Sequence, residues 1–191
     1  ILNCNLTLNG TLLLTSGDFD VYNKILTLGS SATVSGETNN NWIISTSETN
    51  KGTITTTRNL TSGISGYTFG NIGIAVTTTS VLGNTVVTRS FEPVTVGLYS
   101  GISKSFTILP TTNSGLNATF VFYYFGNELS TEHNPPDMVM FQSTDNGATF
   151  QQVNSINNWN SGNLSGSLTD TALGSFGPNN IWTSSDKDNP L

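Results

Sequence analysis

The chain has 191 residues and a formal net charge of −6, from 6 Lys and Arg against 12 Asp and Glu. Charged residues make up 9% of it, against roughly 25% in soluble domains generally. Six basic residues are too few to form a positively charged surface for a phosphate backbone, so we expect no nucleic-acid partner. No apolar run approaches the about 20 residues of a membrane-spanning helix, so we expect no membrane insertion. One Cys and one His exclude a disulfide framework and a His-rich metal centre; we expect no cofactor.

The two ends predict a processed piece of a longer, exported protein. Residues 1–4 (ILNC) already have strand character, with no charged or long apolar segment of a signal peptide before them. Residues 186–191 (DKDNPL) are typical of the start of a linker. We therefore expect an extracellular or outer-cell-surface location, with a cytosolic β domain as the alternative.

The first third of the chain, residues 1–62, contains a repeat. Residues 6–8 (LTL) are repeated twenty positions later at residues 26–28 (LTL), and residues 15–17 (TSG) are similar to residues 34–36 (VSG). Short strands with glycine turns at such a period predict the coils of a β-solenoid. An ordinary meander with similar turns is the alternative.

Residues 63–185 predict an antiparallel β-sandwich. Their strands are longer and richer in aromatic residues, which would fill the space between two packed sheets. Residues 118–125 (ATFVFYYF) are the most apolar run and predict a central strand covered on both faces. The expected fold is therefore all-β, with a short N-terminal β-solenoid-like unit packed on the sandwich.

An Asp box, the S-x-D-x-G-x-x-[WF] hairpin of sialidases and many unrelated β proteins, is expected around residue 145. Its positions are filled by Ser143, Asp145, Gly147, Thr149 and Phe150. The aspartate can accept backbone N–H bonds within the turn, the glycine can adopt a positive φ, and the phenylalanine can fold beneath the hairpin. A sialidase would need several boxes and an arginine cluster, but the chain has two arginines. We expect a structural turn.

Six segments follow one another in an order found in a known module. They are residues 70–74 (GNIGI), 83–89 (GNTVVTR), 101–110 (GISKSFTILP), 116–119 (LNAT), 122–124 (FYY) and 128–129 (EL). This succession resembles a module of large secreted and surface proteins of Bacteroidota that the type IX secretion system exports. The LTL repeat resembles what precedes that module, and residues 189–191 resemble the linker to its sorting domain.

The resemblance implies a cell-surface or extracellular protein of adhesin-like or structural type, and it does not imply catalysis. Residues 170–172 (DTA) also resemble the short O-glycosylation motif of Bacteroidota surface proteins. Thr171 is therefore the candidate O-glycosylation site.

The most charged segment follows the apolar strand and contains the one histidine. Glu128 with Glu132 or Asp137 could form an acid–base or metal site if two carboxylates faced one cleft. The alternative is a solvated loop in which Glu128 caps a turn or pairs with Arg89 or Lys104. That role would affect stability and not turnover.

Two pairs of aspartates have the spacing of partial calcium sites. Asp18 with Asp20, and Asp186 with Asp188, offer carboxylate oxygens, but neither pair has further ligands nearby in sequence. We predict no metal site, with a calcium ion shared between distant loops as the alternative.

Tryptophans beside asparagines raise the possibility of carbohydrate binding. Trp159 lies between Asn158 and Asn160 in a segment with loop character, and is the best candidate for a glycan platform. Trp42 and Trp182 also follow asparagines. Each ring could equally be a core residue at the start of a strand.

Together these features predict a non-catalytic structural or adhesin module, a candidate subunit of a self-assembling extracellular filament. Uncharged, Thr-rich sheet edges do little to block strand addition, so other copies or neighbouring domains of the same protein are the expected partners. The alternative is a carbohydrate-binding module of a secreted enzyme or adhesin, with glycans as its partners.

Overall fold

A computed structural model describes residues 1–96, 99–131, 133–176 and 180–187 of the chain. In these residues the regular structure is strands and two short 3₁₀ turns, Gly126–Glu128 and Pro135–Asp137. The predicted all-β class is therefore confirmed.

Six short strands form the N-terminal part: β1 (Leu6–Leu8), β2 (Thr11–Leu13), β3 (Phe19–Asp20), β4 (Ile25–Leu28), β5 (Thr33–Ser35) and β6 (Ile43–Ile44). Seven strands follow: β7 (Thr53–Leu60), β8 (Ile64–Tyr67), β9 (Ile74–Thr78), β10 (Gly83–Ser90), β11 (Thr95–Val96), β12 (Tyr99–Ser100) and β13 (Ser105–Pro110). The last six are β14 (Ala118–Phe125), β15 (Met138–Ser143), β16 (Gln151–Gln152), β17 (Ile156–Asn160), β18 (Ser165–Leu173) and β19 (Ile181–Asp186).

The two copies of the repeat lie side by side as parallel strands. β1 pairs with β4 so that Leu6 faces Leu26, and β4 pairs in parallel with β7. The other two strands of each copy also pair in parallel, β2 with β5 and β3 with β6. A meander would pair consecutive strands antiparallel, so this pairing differs from the meander alternative.

One eight-stranded sheet runs from the N-terminal strands into the rest of the chain, in the order β1-β4-β7-β10-β13-β19-β15-β16. β7 is parallel to β4 on one side and antiparallel to β10 on the other. The predicted boundary at residue 62 thus falls just after a strand that both parts share. Arg58 on β7 strengthens the junction, donating a 2.6 Å hydrogen bond to the carbonyl of Ala32.

A five-stranded sheet, in the order β17-β18-β14-β9-β8, packs against the larger sheet as in a β-sandwich. Aromatic rings fill the space between the sheets. Phe106 of the larger sheet meets Phe122 edge-on with centroids 5.3 Å apart, and Trp182 meets Phe120 at 4.9 Å. Trp182 is fully buried and is therefore a core residue.

β14 is central in its sheet, between β18 and β9, but it is not covered on both faces as predicted. Phe120, Phe122 and Tyr124 are buried, whereas Tyr123 is 43% exposed. Successive side chains point to opposite faces of a sheet, so only one face of this apolar strand meets the core. The other face borders a groove.

Candidate functional site

The groove lies between the outer face of the five-stranded sheet and the N-terminal strands, and has a volume of about 530 Å³. One wall is residues 34–37, at the end of β5, together with Asn71. The opposite wall is formed by β14, β18 and β17. The groove therefore exists only because the N-terminal part is held beside the sandwich.

Strand register sets the composition of the sheet wall. Tyr123 lies beside Ser167, which lies beside Asn158, so the three form one row across β14, β18 and β17. Phe125, Ser165 and Asn160 form the next row. Residues two apart on a strand share a face, and both rows therefore line the groove, presenting aromatic, hydroxyl and amide groups.

Four charged side chains form a buried cluster at the groove. Lys104 Nζ lies 2.5 Å from Glu128 Oε1 and 2.6 Å from Oε2. Arg89 Nη1 lies 3.0 Å from both carboxylate oxygens of Glu37, and its Nη2 lies 3.5 Å from Glu128 Oε1. We call Glu37, Arg89, Lys104 and Glu128 the ion cluster. Charges removed from water this way require partners of opposite sign.

Local structure holds Glu128 in place. It ends the first 3₁₀ turn, and its Oε2 accepts a 2.9 Å hydrogen bond from the backbone N–H of Phe125. Glu128 therefore caps a turn and pairs with both Lys104 and Arg89, as the solvated-loop alternative proposed for its side chain. Burial lowers the pKa of Lys104 to about 8, an effect that the adjacent Glu128 carboxylate partly offsets.

Arg89 joins the sandwich to the N-terminal strands. Its Nη2 donates a 3.3 Å hydrogen bond to the carbonyl of Ile43, and the guanidinium lies 4.8 Å from the ring centroid of Phe91. Glu37 Oε1 also accepts a 3.0 Å bond from the Ile43 N–H. Because every charge of the cluster is directed at another, the cluster neutralises the base of the groove.

The structure does not bring Trp159, Asn158 and Asn160 onto one surface. The prediction placed them in a loop, but they belong to β17, where alternation turns Trp159 away from its two neighbours. Its ring stacks on Tyr124, with centroids 5.7 Å apart and planes 13° apart. Trp159 covers one end of the core, while Asn158 and Asn160 line the groove.

Trp42 is half-buried beside a second, smaller cavity of about 180 Å³. Its ring meets Phe125 edge-on at 6.4 Å. Lys51 and Phe91 also line this cavity.

The Asp-box segment forms a tight hairpin between β15 and β16, which pair antiparallel. Thr149 donates to Asp145 from its backbone N–H at 2.9 Å and from its hydroxyl at 2.6 Å. Ser143 Oγ accepts the N–H of Gly147 at 2.8 Å, and Gly147 has a φ of +88°. Phe150 is buried. The hydrogen bonds from the side chain and backbone of Thr149, with one from Ser143, lower the pKa of Asp145 to about 2.

The acids of the charged loop go to different partners. Asp137 is paired with Lys187, whereas Glu128 is in the ion cluster, and Glu132 lies outside the described residues. His133 Nδ1 lies 2.9 Å from the hydroxyl of Ser130. Glu128 and Asp137 therefore bind different lysines and do not face each other as a pair of carboxylates.

The aspartates considered as calcium ligands accept hydrogen bonds from backbone N–H groups instead. Asp18 Oδ1 accepts the N–H of Trp42 at 3.2 Å. Asp20 accepts bonds from Thr46 and Tyr22, which together lower its pKa despite the opposing effect of burial.

In the second pair, Asp186 accepts the N–H of Asn134 at 2.7 Å, and Asp188 lies outside the described residues. Over the ranges that are described, no group of three or more His, Cys, Asp or Glu is placed to hold a metal ion.

The candidate O-glycosylation site and the one cysteine are both exposed. Thr171 lies on β18 next to Asp170, whose Oδ1 accepts the N–H of Ala172 at 3.0 Å. Cys4 is a free thiol.

Sequence reasoning missed Glu37 and the groove. Glu37 lies 52 residues from Arg89, and no local pattern marks the two as partners. The serines of the groove carried a weak signal, since Ser165 and Ser167 alternate with buried residues along β18.

No protein-family model matches the chain, and no curated protein or solved structure is significantly similar to it. In the described part of the chain, no helix is long and apolar enough to cross a bilayer.

Proposed function

We propose that this chain is a non-catalytic structural module of an extracellular or outer-surface protein, and that its first strands accept a further coil from another copy. The observation that carries the proposal is the outer edge of the N-terminal strands. Among the described strands, β1 pairs with β4 alone and β2 with β5 alone. Each therefore offers one open edge for strand addition.

The pairing in this region supports a β-solenoid. The parallel ladders advance from copy to copy by 20 residues at β1 and β4, and by 22 at β2 and β5. In a solenoid each coil buries its apolar edge only against the next coil. The first coil leaves Leu6 39% exposed and Leu13 61% exposed, which favours a further coil as the partner.

The charged residues support a structural role. Four of them neutralise one another in the ion cluster, and Asp145 accepts hydrogen bonds that stabilise a hairpin turn. The carboxylates of the ion cluster hold distant strands together and that of Asp145 stabilises a local turn, so these carboxylates are not placed as a free acid and base. The secreted location and export by a type IX system rest on the sequence resemblance.

Analytical ultracentrifugation over a range of protein concentrations, with negative-stain electron microscopy, tests this proposal. Wild type should associate as its concentration rises, and Leu6→Lys should weaken the association because a charge on the open strand must be desolvated. Leu109→Lys is the matched control, because Leu109 is 41% exposed but lies on β13, an inner strand of the sheet, where it pairs with Val86 of β10.

A wild-type protein that stays monomeric throughout would refute the proposal. Equal association of Leu6→Lys and wild type would refute the assigned edge, as would a defect of similar size in Leu109→Lys.

A further inference from the structure

We infer that the groove between residues 34–37 and the five-stranded sheet binds a neutral oligosaccharide. Tyr123 provides the surface on which a sugar ring stacks, and Asn158, Ser165 and Ser167 provide hydrogen bonds. This site differs from the Trp159 platform expected from sequence, and it does not depend on self-association at β1.

The aromatic surface is the first argument. Tyr123 is 43% exposed although its strand, β14, is central in the sheet, and Phe125 is half-buried two residues away on the same face. Tyrosine combines an apolar ring with a hydroxyl, and a sugar ring likewise has apolar C–H faces with hydroxyls at its rim. The backbone is fixed, since the carbonyl of Tyr123 accepts a 3.1 Å bond from Lys104 Nζ.

Several polar side chains of the groove have no protein partner within the described ranges. Within the described ranges, the side chains of Asn158, Ser165, Ser167 and Tyr123 make no hydrogen bond to protein. An amide carries two donors and an acceptor, and each hydroxyl can both donate and accept. Such groups match sugar hydroxyls, which also donate and accept.

The groove has no unpaired charge among its described lining residues, which favours a neutral saccharide. The charged residues that line the groove are Glu37 and Lys104. Both carboxylate oxygens of Glu37 face Arg89, and Lys104 Nζ faces Glu128. An acidic sugar would find no free cation there, and a cationic ligand would find no free carboxylate.

The dimensions fit a small ligand. A volume of about 530 Å³ lies within the roughly 300–1,000 Å³ typical of small-molecule sites. The groove is also preformed, because the Arg89–Glu37 pair and the bond from Asn71 Nδ2 to the carbonyl of Val34, at 3.1 Å, fix its second wall. A preformed site loses less entropy on binding.

Isothermal titration calorimetry with a defined set of oligosaccharides tests the inference. The neutral probes are hexasaccharides of α-1,4-glucan, β-1,4-glucan, β-1,3-glucan, xylan and mannan, with an oligogalacturonate as the acidic comparison. At least one neutral probe should bind with a Kd of about 1 mM or below. The acidic probe should bind more weakly.

Substitutions locate the site. Tyr123→Ala should weaken binding at least about tenfold, whereas Tyr123→Phe keeps the ring and should retain most of it. Tyr22→Ala is the matched control, since Tyr22 is 41% exposed and lies outside the groove; it should bind like wild type. Asn158→Ala changes an exposed side chain and should weaken binding several-fold.

Three results would overturn the inference. The first is that no neutral probe binds at about 10 mM, far above the Kd expected of such a site. The second is unchanged binding in folded Asn158→Ala and Tyr123→Ala, with folding checked by circular dichroism. The third is tighter binding of the oligogalacturonate than of every neutral probe.

Discussion

Lys104 Nζ lies 2.5 Å from Glu128 Oε1, and both side chains are almost completely removed from solvent. The pair joins the segment before β13 to the 3₁₀ turn after β14, and so ties the two sheets of the sandwich together beside the groove. A buried ion pair contributes little relative to a well-packed apolar pair, but removing one partner leaves an unpaired charge in the interior.

Lys104→Met should therefore lower the free energy of unfolding by about 3–5 kcal/mol, since it leaves the buried Glu128 carboxylate with the more distant Arg89 as its cationic partner. Urea denaturation measures this change. Lys187→Met is the matched control: it removes a lysine from a solvent-accessible pair with Asp137, and it should change stability much less because solvent screens such pairs. Equal effects of the two substitutions would contradict a special role for the buried pair.

Gly166→Ala should destabilise the five-stranded sheet. A Cβ on Gly166 would lie 2.3 Å from Cζ of Tyr124 and 2.5 Å from its hydroxyl oxygen, so the ring stacked on Trp159 would have to move. Overpacking of this kind costs about 1–3 kcal/mol. Gly174→Ala, with no atom within 4 Å of the added Cβ, should be nearly neutral in the same denaturation assay. If Gly166→Ala is equally neutral, the stacking of Tyr124 on Trp159 is looser than described.

Tyr124 should make the protein lose stability in alkali. Burial raises the pKa of Tyr124 to about 12 from an ordinary value of 10.0, with the hydrogen bond to Asn157 offsetting part of the rise. Between these values the folded state binds more protons than the unfolded state, so stability falls as pH rises.

Urea denaturation from pH 9 to 12 should show this fall in wild type, and Tyr124→Phe should lack the part due to Tyr124. Tyr123→Phe, which removes an exposed hydroxyl on the same strand, should keep it. An unchanged pH slope in Tyr124→Phe would show that Tyr124 is not the group responsible.

Asp145 should make the protein sensitive to acid. The side-chain hydroxyl of Thr149 and then its backbone N–H lower the pKa of Asp145 to about 2 from 3.8. A lowered carboxyl pKa contributes stability that is present above about pH 4 and lost as pH falls towards 2.

Thermal unfolding from pH 5 to 2 should therefore show a steeper decrease of Tm in wild type than in Asp145→Asn. Asp170→Asn, at an aspartate with one backbone hydrogen bond, should follow the wild-type curve. Parallel curves for wild type and Asp145→Asn would rule out this role for the turn.

Local features of the fold were predictable because neighbouring residues determine them. The hairpin at Asp145 follows from its own hydrogen-bond donors and from a glycine that tolerates positive φ. One half of the repeat also predicted strand pairing correctly, since Leu6 and Leu26 lie side by side. The other half was wrong, because residues 33–35 pair with residues 11–13 and not with residues 15–17.

The groove was not predictable in the same way. Trp159 was assigned to a loop platform, and only its pairing with Gly166 on β18 shows which way the ring points. A one-residue change of register would exchange the two faces of the strand, and the asparagines on either side gave no indication of it.

Sequence by itself determined the all-β class, the repeat and the turn chemistry, because strand propensity, alternation and turn geometry act over a few neighbouring residues. Tertiary structure alone decided that Glu37 meets Arg89 and that Tyr123 faces a groove. Both depend on how strands far apart in the chain pair and pack, and the burial that forces opposite charges together exists only once those strands have met.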